Sequence, residues 1–492
     1  MRPTFLPIHS IVHPLLAASA LALALVFAAP SIAHAQGATA DAIAKKLNTE
    51  NSKVSAGKQS GPKVFTEWVK LAAAPSDDPT AIWPGMPNWD AVSAWAKGGT
   101  ALGEALIAAQ HDEILGLPYG TKGASPEFRE KGIVVDLAEG EDFGMVSYPY
   151  LEAVEGIGAY ATAEMYRAAE AGEWDRAFNV GLAWLRFLRQ VSDRQMMAEV
   201  QFGTASMSQA LSIHRDFLWR YRDQVPVEVL KRVALKEYPL LRAGDGERLR
   251  RLRLPEGDLD MAKAVMERTF RGGQPNAVEF VNVYASQDSS KAPLMRFGQA
   301  KTWRKVAELH GAKDASTQKI DSIYDDWYRR WRSRPYGRLS EVPTELSRTN
   351  DVRYAAVIFG MRDLQSLFEA RKRLIANING TAVAAGLCAY RNDYQHTWPG
   401  KIKEAYAVHV VKRMNFDPFD KRGEALGYKI LSSPRKVQLP NGSLDVDGVM
   451  LWAIGSDNKD DDGARHTDDG SSHDLLLWPP VRELARESGA TP

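Results

Sequence analysis

Apolar residues recur at helical spacing through most of residues 62–373, and this pattern constrains the fold more than any other feature of the chain. Two adjacent helices are predicted at residues 153–171 and 174–191, joined by Gly172-Glu173 as a helical hairpin. Further helices are predicted at residues 207–221, 227–240, 295–310 and 317–332, and after the capping sequence at Asn350. The sequence therefore predicts a mainly α protein with a helical domain at residues 62–373.

The N-terminus carries the pattern of a cleaved signal peptide. An apolar run at residues 15–29 ends at Pro30, and Ala33-His34-Ala35 supplies the small-x-small cleavage motif. This run is shorter than the roughly 20 residues that span a bilayer, and an uncleaved anchor is the alternative. We expect residues 1–35 to be removed and residues 36–61 to form a flexible leader. The mature chain should then be secreted or periplasmic and should have no membrane span.

Charge and cysteine content narrow the possible functions. Lys plus Arg total 62 against 61 Asp plus Glu, so the chain lacks the bulk basic field of nucleic-acid-binding proteins. Cys388 is the only cysteine and cannot form an internal disulfide. It lies on an apolar helical face, which favours a buried structural thiol over a nucleophile. No HExxH, GxSxG or CxxC motif occurs, so the sequence identifies no catalytic centre.

The pattern changes from helical to strand-like in the C-terminal part of the chain. A helix is stopped by Trp398-Pro399-Gly400, and short apolar runs then alternate with turn sequences such as Pro440-Asn441-Gly442. The predicted strands lie at residues 428–431, 436–439, 449–454 and 475–478. This organisation predicts a small α+β module at residues 374–485 and a short tail at residues 486–492.

An acidic loop joins the last two predicted strands. Seven aspartates lie within the 20 residues from Gly455 to Asp474. A hard cation would relieve the repulsion among them, and Ca²⁺ takes six to eight oxygen ligands. The loop therefore predicts a Ca²⁺ site, with Asp461 expected to point outward; a solvated acidic loop is the alternative.

Four short motifs follow one another in the C-terminal part in the order found in type II secretion major pseudopilins. They are Tyr390-Arg391-Asn392-Asp393-Tyr394 with Trp398-Pro399, then Asp417-Pro418-Phe419-Asp420, then Gly427-Tyr428, and finally Ala453-Ile454-Gly455-Ser456-Asp457-Asn458 with Asp474-Leu475 beyond the acidic loop. The segment from about residue 364 to residue 479 thus resembles the globular part of those pseudopilins. The chain departs from that family in its ordinary signal peptide, its enlarged loop and Asn458, where the family has glycine.

The resemblance implies that the acidic loop holds Ca²⁺ through the side chains of Asp457 and Asp474, with loop carbonyls completing the site. Asp460 and Asp462 lie between them and are further candidate ligands. The whole chain also resembles large uncharacterised secreted proteins of planctomycete-type bacteria, a likeness that implies no reaction.

These features predict a non-catalytic envelope or secretion-associated protein. Its helical domain would bind a protein partner in the cell envelope or secretion machinery. The alternative is an exported hydrolase with its active site in the helical domain. A hydrolase would need convergent titratable groups in a cleft.

Overall fold

The computed structural model describes most of the chain beyond the predicted signal peptide. The described residues are 39–76, 78–232, 234, 254–289, 295–333, 339, 342–361, 363–408, 416–439, 442–464 and 473–489. Helices account for 61% of the structure and strands for 8%, which confirms a mainly α protein with small antiparallel sheets. The predicted signal peptide and the part of the acidic loop that holds Asp468 and Asp469 lie outside the described residues.

The N-terminal helices are short and pack their apolar faces inward. They are α1 (Ala40–Leu47), α2 (Thr49–Lys53), α3 (Ser60–Trp68), α4 (Trp89–Gly98), α5 (Thr100–Ala109) and α6 (Pro126–Glu130). Thr39 caps α1 by accepting a hydrogen bond from the Ala42 amide, and the helix buries Ile43 and Leu47. The expectation of a flexible leader at residues 36–61 is therefore corrected, because apolar side chains four residues apart give this segment a buried helical face.

Three long helices follow, and they pack side by side with a later helix, α16 (Leu364–Asp393). They are α7 (Tyr150–Glu170), α8 (Trp174–Ser192) and α9 (Met197–Arg220), after which α10 covers Val227–Arg232. The first two form the predicted hairpin, and Gly172 between them has a φ of 74°, which glycine adopts without strain. Helix α8 packs on α9, and α9 packs on α16, the longest helix among the described residues.

The middle of the chain contains α11 (Glu256–Thr269), β1 (Phe270–Arg271), β2 (Gln274–Pro275), α12 (Glu279–Asp288), α13 (Arg296–Leu309), α14 (Lys313–Arg332) and α15 (Ala355–Gly360). The helix predicted after Asn350 is divided into α15 and α16. Asp363 begins the second helix because its Oδ1 accepts a hydrogen bond from the Ser366 amide at 2.9 Å. Asn350 caps only a turn, where its Oδ1 accepts from the amides of Val352 and Arg353.

The C-terminal part contains the strands that the sequence predicts and one further strand. The elements are α17 (Ile402–Val408), β3 (Gly427–Ile430), β4 (Arg435–Leu439), β5 (Gly442–Val446), β6 (Val449–Ala453), β7 (Leu475–Trp478) and α18 (Val481–Ser488). Strand β6 pairs with β3 on one side and β7 on the other, and β4 and β5 form a separate hairpin; all pairings are antiparallel.

Strand β6 is buried on both faces. Its alternate side chains Val449, Leu451 and Ala453 join the main hydrophobic core, whereas Met450 and Trp452 pack in a second, smaller core with the β4–β5 hairpin. Successive side chains of a strand point to opposite faces, so one five-residue run joins both cores.

The predicted boundary between residues 373 and 374 falls inside α16, which crosses it without a break. One core extends from Ile43 in α1 to Trp478 in β7, and Ala38–Pro492 forms one compact unit. The predicted tail is also corrected in part, because residues 486–488 belong to α18 and the Arg486 side chain is only 6% exposed. The helical and α+β parts share one core instead of folding as separate domains.

Candidate functional site

The two ends of the acidic loop are held together where it leaves β6 and enters β7. Gly455 has a φ of 60°, and a Cβ added there would lie 1.8 Å from the His473 carbonyl oxygen. Only glycine permits this close approach. Asn458 and Asp462 also have positive φ values, of 59° and 61°, which turn the chain back on itself. The base of the loop is thus fixed by the sheet.

Asp474 is the buried centre of this arrangement and has no exposed surface. Its Oδ2 accepts hydrogen bonds from the amides of Asp461, at 3.1 Å, and Gly463, at 2.8 Å. Burial and the nearby charges of Asp460 and Asp461 together raise the pKa of Asp474 to about 7. The side chain of Asp461 is expected to point outward, and its backbone amide is the group that contacts Asp474.

Asp457 and Asp460 form hydrogen bonds within or beside the loop. Oδ1 of Asp457 accepts from the Lys459 amide at 3.1 Å. Oδ1 of Asp460 accepts from the Trp452 indole and from the Asp462 amide, both at 2.9 Å. The indole contact fixes Asp460 on the side of the loop that faces β6.

Asp462 faces two cationic side chains. Its Oδ2 lies 2.5 Å from Lys429 Nζ and 3.4 Å from Arg435 Nη1. The structure therefore places the Asp461 amide against Asp474, whose carboxylate also feels the charges of Asp460 and Asp461, while Asp462 pairs with cations of β3 and β4. Within the described part of the chain, no three His, Cys, Asp or Glu residues are arranged to hold a metal ion.

Asp417 is a buried carboxylate to which the sequence assigned no role beyond its motif. It is 1% exposed, and its two oxygens accept hydrogen bonds from the amides of Phe419 and Ile454, both at 2.8 Å. Burial raises its pKa to about 6, although the backbone hydrogen bonds lower it. The Asp417 carboxylate thus links the Asp-Pro motif to Ile454, the residue that follows β6. In the sequence, only the Asp-Pro motif singles out Asp417.

A second buried carboxylate, Glu199, lies in the helical part. Its Oε1 accepts from Arg194 Nε at 2.8 Å and from the Tyr150 hydroxyl at 2.7 Å. Its Oε2 accepts from the Tyr119 hydroxyl at 2.6 Å and from the Met196 amide at 3.4 Å. Burial raises the pKa of both tyrosines well above the usual value, so both remain hydrogen-bond donors. The four donors occupy the acceptor sites of the carboxylate, which leaves no site for a substrate proton.

A third cluster ties the C-terminal helix α18 to α9. Buried Asp216 of α9 pairs with Arg482, whose Nε lies 2.5 Å from Oδ2. Buried Glu483 accepts a hydrogen bond from Arg486 Nη1 at 2.9 Å and forms an ion pair with Arg220, whose Nη2 lies 2.6 Å away. Each buried carboxylate is thus paired with arginine, which is the arrangement of a structural anchor.

Two open cavities lie in the described part of the helical region, with volumes of about 260 and 440 Å³. Carboxylates line the smaller one, but Asp260 pairs with Lys46 at 2.6 Å and Glu256 accepts from the Tyr328 hydroxyl at 2.6 Å. Most side chains that line the larger one are apolar, although polar atoms contribute a large share of its surface. Cys388 lines neither cavity; it is fully buried, and burial raises its pKa to about 12, which confirms the expected buried thiol.

Comparison with known proteins identifies no relative. No family model, no curated protein and no solved structure matches the chain. Across the described residues, none of the helices combines the length and the apolar character needed to cross a membrane.

Proposed function

We propose that this chain is an exported, non-catalytic protein of the cell envelope or secretion machinery. Its pseudopilin-like C-terminal part binds one Ca²⁺, and its helical part binds a protein partner. The observation that carries the proposal is the fully buried carboxylate of Asp474, which lies at the base of a loop whose ends are fixed by β6 and β7 and is acted on by the charges of Asp460 and Asp461.

The physical support for Ca²⁺ is the charge of this group. The charges of Asp460 and Asp461 act on the fully buried carboxylate of Asp474, and a divalent cation with oxygen ligands would relieve that repulsion. Asp474 and Asp460 would contribute side-chain ligands, and loop carbonyls would complete the site. Asp457 remains a candidate from the resemblance, whereas Asp462 is a weaker one because Lys429 and Arg435 already neutralise it.

Two of the motifs that carry the resemblance to pseudopilins are in contact. Asp417 and Ile454 are far apart in sequence, and the Asp417 carboxylate nevertheless accepts a hydrogen bond from the Ile454 amide. The same contact brings residue 417 to the strand that leads into the acidic loop.

A non-catalytic role is supported by the state of the buried titratable groups. Glu199 has four donors, and Asp216 and Glu483 are bound by arginines, so each acts as an anchor between elements. A partner-binding role for the helical part is supported by Phe297 on α13, which is 87% exposed, and by its neighbour Met295, which is 58% exposed.

The Ca²⁺ site is tested by thermal unfolding of the mature chain with Ca²⁺ and with a chelator. Binding to the native state alone would add about 2.7 kcal/mol at one hundred times the dissociation constant, so Ca²⁺ should raise the melting temperature. Mg²⁺ should raise it less, because it requires a tighter octahedral shell. Asp474→Asn and Asp460→Asn should each abolish the increase. Asp445→Asn is the matched control, because this exposed aspartate lies on β5 of the same part of the chain.

Equal melting temperatures in Ca²⁺ and chelator would refute the site and leave a solvated acidic loop. An increase that survives Asp460→Asn and is lost in Asp457→Ala would keep the ion and refute Asp460 as a ligand. Because Asp460 is exposed, its variant should fold even if the Asp474 variant does not.

A further inference from the structure

The larger cavity is a cleft of about 440 Å³ between the loop at residues 144–147 and three helices. Met145 and Val146 line it from the loop. Met261 and Val265 line it from α11, Tyr284 from α12 and Phe359 from α15. This volume lies within the roughly 300–1,000 Å³ of small-molecule sites, and as in those sites most of the lining side chains are apolar.

The loop wall of the cleft is fixed by hydrogen bonds on both sides. Asp136 and Ser147 exchange two backbone hydrogen bonds, at 3.0 and 2.9 Å. The side-chain amide of Gln287 in α12 donates a hydrogen bond from Nε2 to the Phe143 carbonyl at 2.9 Å. A Cβ on Gly144 would lie 2.8 Å from Gln287 Nε2, so the loop and α12 are in close contact.

The helical wall is fixed by aromatic packing and by one histidine. Tyr284 stacks on Trp303 with ring centroids 4.8 Å apart, and Trp303 contacts Phe359 at 5.3 Å. The Ala356 amide donates to His310 Nε2 at 3.1 Å. Burial lowers the pKa of His310, so its ring is neutral at pH 7 and can accept this hydrogen bond. Both walls are held in place without a ligand, and the cleft is therefore preformed.

The charge of the lining restricts what can bind. Among the described lining residues, Asp258 alone has a charged side chain. This aspartate is 7% exposed, and its carboxylate accepts a hydrogen bond from the Met197 amide. An anionic ligand would be repelled by it at short range. The two methionines adapt their shape to flat or branched groups, and the half-buried ring of Phe359 offers an aromatic contact.

We propose that this cleft binds a small uncharged molecule with an aromatic or branched aliphatic body. Such a site goes beyond the proposed function, since it is independent of Ca²⁺ and of a protein partner.

The test is fluorescence titration of the full mature chain with N-phenyl-1-naphthylamine, an uncharged aromatic probe. We expect saturable binding of one probe per chain. The sulfonated analogue 1-anilinonaphthalene-8-sulfonate has a similar body and a negative charge, and it should bind about tenfold more weakly or worse. Ala262→Phe places a ring in the cleft and should weaken binding of the uncharged probe to a similar extent.

Two control variants distinguish the cleft from other surfaces. Ala73→Phe makes the same substitution in an exposed loop, and Phe297→Ser removes the exposed ring of α13; neither should change binding. Val146→Trp fills the cleft from the opposite wall and replaces Ala262→Phe if that variant does not fold. The proposal is overturned if the probe does not saturate, if a folded cleft-filling variant binds it unchanged, if Phe297→Ser abolishes binding, or if the sulfonate binds equally well.

Discussion

Replacing Glu199 by glutamine should strongly destabilise the protein. This carboxylate joins the loop that carries Tyr119, the start of α7 at Tyr150, and the junction of α8 and α9 at Arg194. It has no exposed surface, and Arg194 is 5% exposed. Arg194 also donates to the Leu117 carbonyl and lies 4.0 Å from the centre of the Tyr119 ring. The substitution keeps the shape of the side chain and changes only its charge and one oxygen.

The magnitude follows from the number of donors. The glutamine side chain has one oxygen where glutamate has two. Its NH₂ group must therefore face two of the four groups that donate hydrogen bonds to Glu199. An unsatisfied buried donor costs about 1–3 kcal/mol, which gives about 2–6 kcal/mol for two. Removal of one partner of a buried ion pair costs about 3–5 kcal/mol, which falls in the same range. We therefore expect Glu199→Gln to lower the free energy of unfolding by about 3–5 kcal/mol.

Urea unfolding followed by far-ultraviolet circular dichroism measures this loss. Arg194→Met should also destabilise, and the double variant should be less unstable than the sum of the two single variants, because the partners disappear together. Lys122→Met is the control for an exposed pair: Lys122 lies 2.7 Å from Asp41, but both side chains are mostly exposed. Its unfolding midpoint should not change.

A loss below about 1 kcal/mol for Glu199→Gln would refute the reasoning, because that is the range of an exposed pair. Strict additivity of the two single variants would refute it as well, since residues in one hydrogen-bond network are coupled. Either result would mean that water or a rearranged side chain satisfies the donors.

Three further outcomes follow from the buried groups. Cys388 should resist thiol reagents in the native state and react once urea unfolds the chain, as measured by mass spectrometry, because it is buried and its pKa is raised to about 12. The pKa of Asp417 is raised from 3.8 to about 6, so the native state holds the extra proton and the free energy of unfolding should fall as pH rises from about 4 to 6. Urea titrations across this range measure the fall, and Asp417→Asn should reduce its total by at most about 3 kcal/mol. Gly455→Ala should lower the melting temperature, because its Cβ would meet the His473 carbonyl oxygen, whereas Gly489→Ala, also at positive φ but with no atom near the added Cβ, should lower it less.

Local patterns predicted most of the secondary structure. The hairpin of α7 and α8 and the strands β3, β4, β6 and β7 follow from apolar spacing and turn residues that lie within each segment. The errors occurred where a local pattern had two interpretations. Residues 40–53 are polar enough for a leader, yet Ile43 and Leu47 find a core to cover them. The helix after Asn350 is interrupted because Asp363 starts a new one.

The candidate site was predicted in position and only partly in geometry. The sequence placed an acidic loop between β6 and β7 and selected Asp474, which is its buried centre. It could not show that Asp461 lies against Asp474 or that Lys429 and Arg435 pair with Asp462. Those contacts depend on where the β4–β5 hairpin packs, and no spacing within the loop determines that.

The sequence by itself determined the helical class, the order of the C-terminal strands and the location of the acidic loop, because periodicity and turn chemistry act over a few residues. Only the tertiary structure decided that one core joins the helical and α+β parts, that Glu199 collects donors from three segments, and that Asp417 binds the end of β6. A buried carboxylate is stable only where donors surround it, and those donors come from distant parts of the chain. The packing of the whole chain therefore selects the partners of each buried charge.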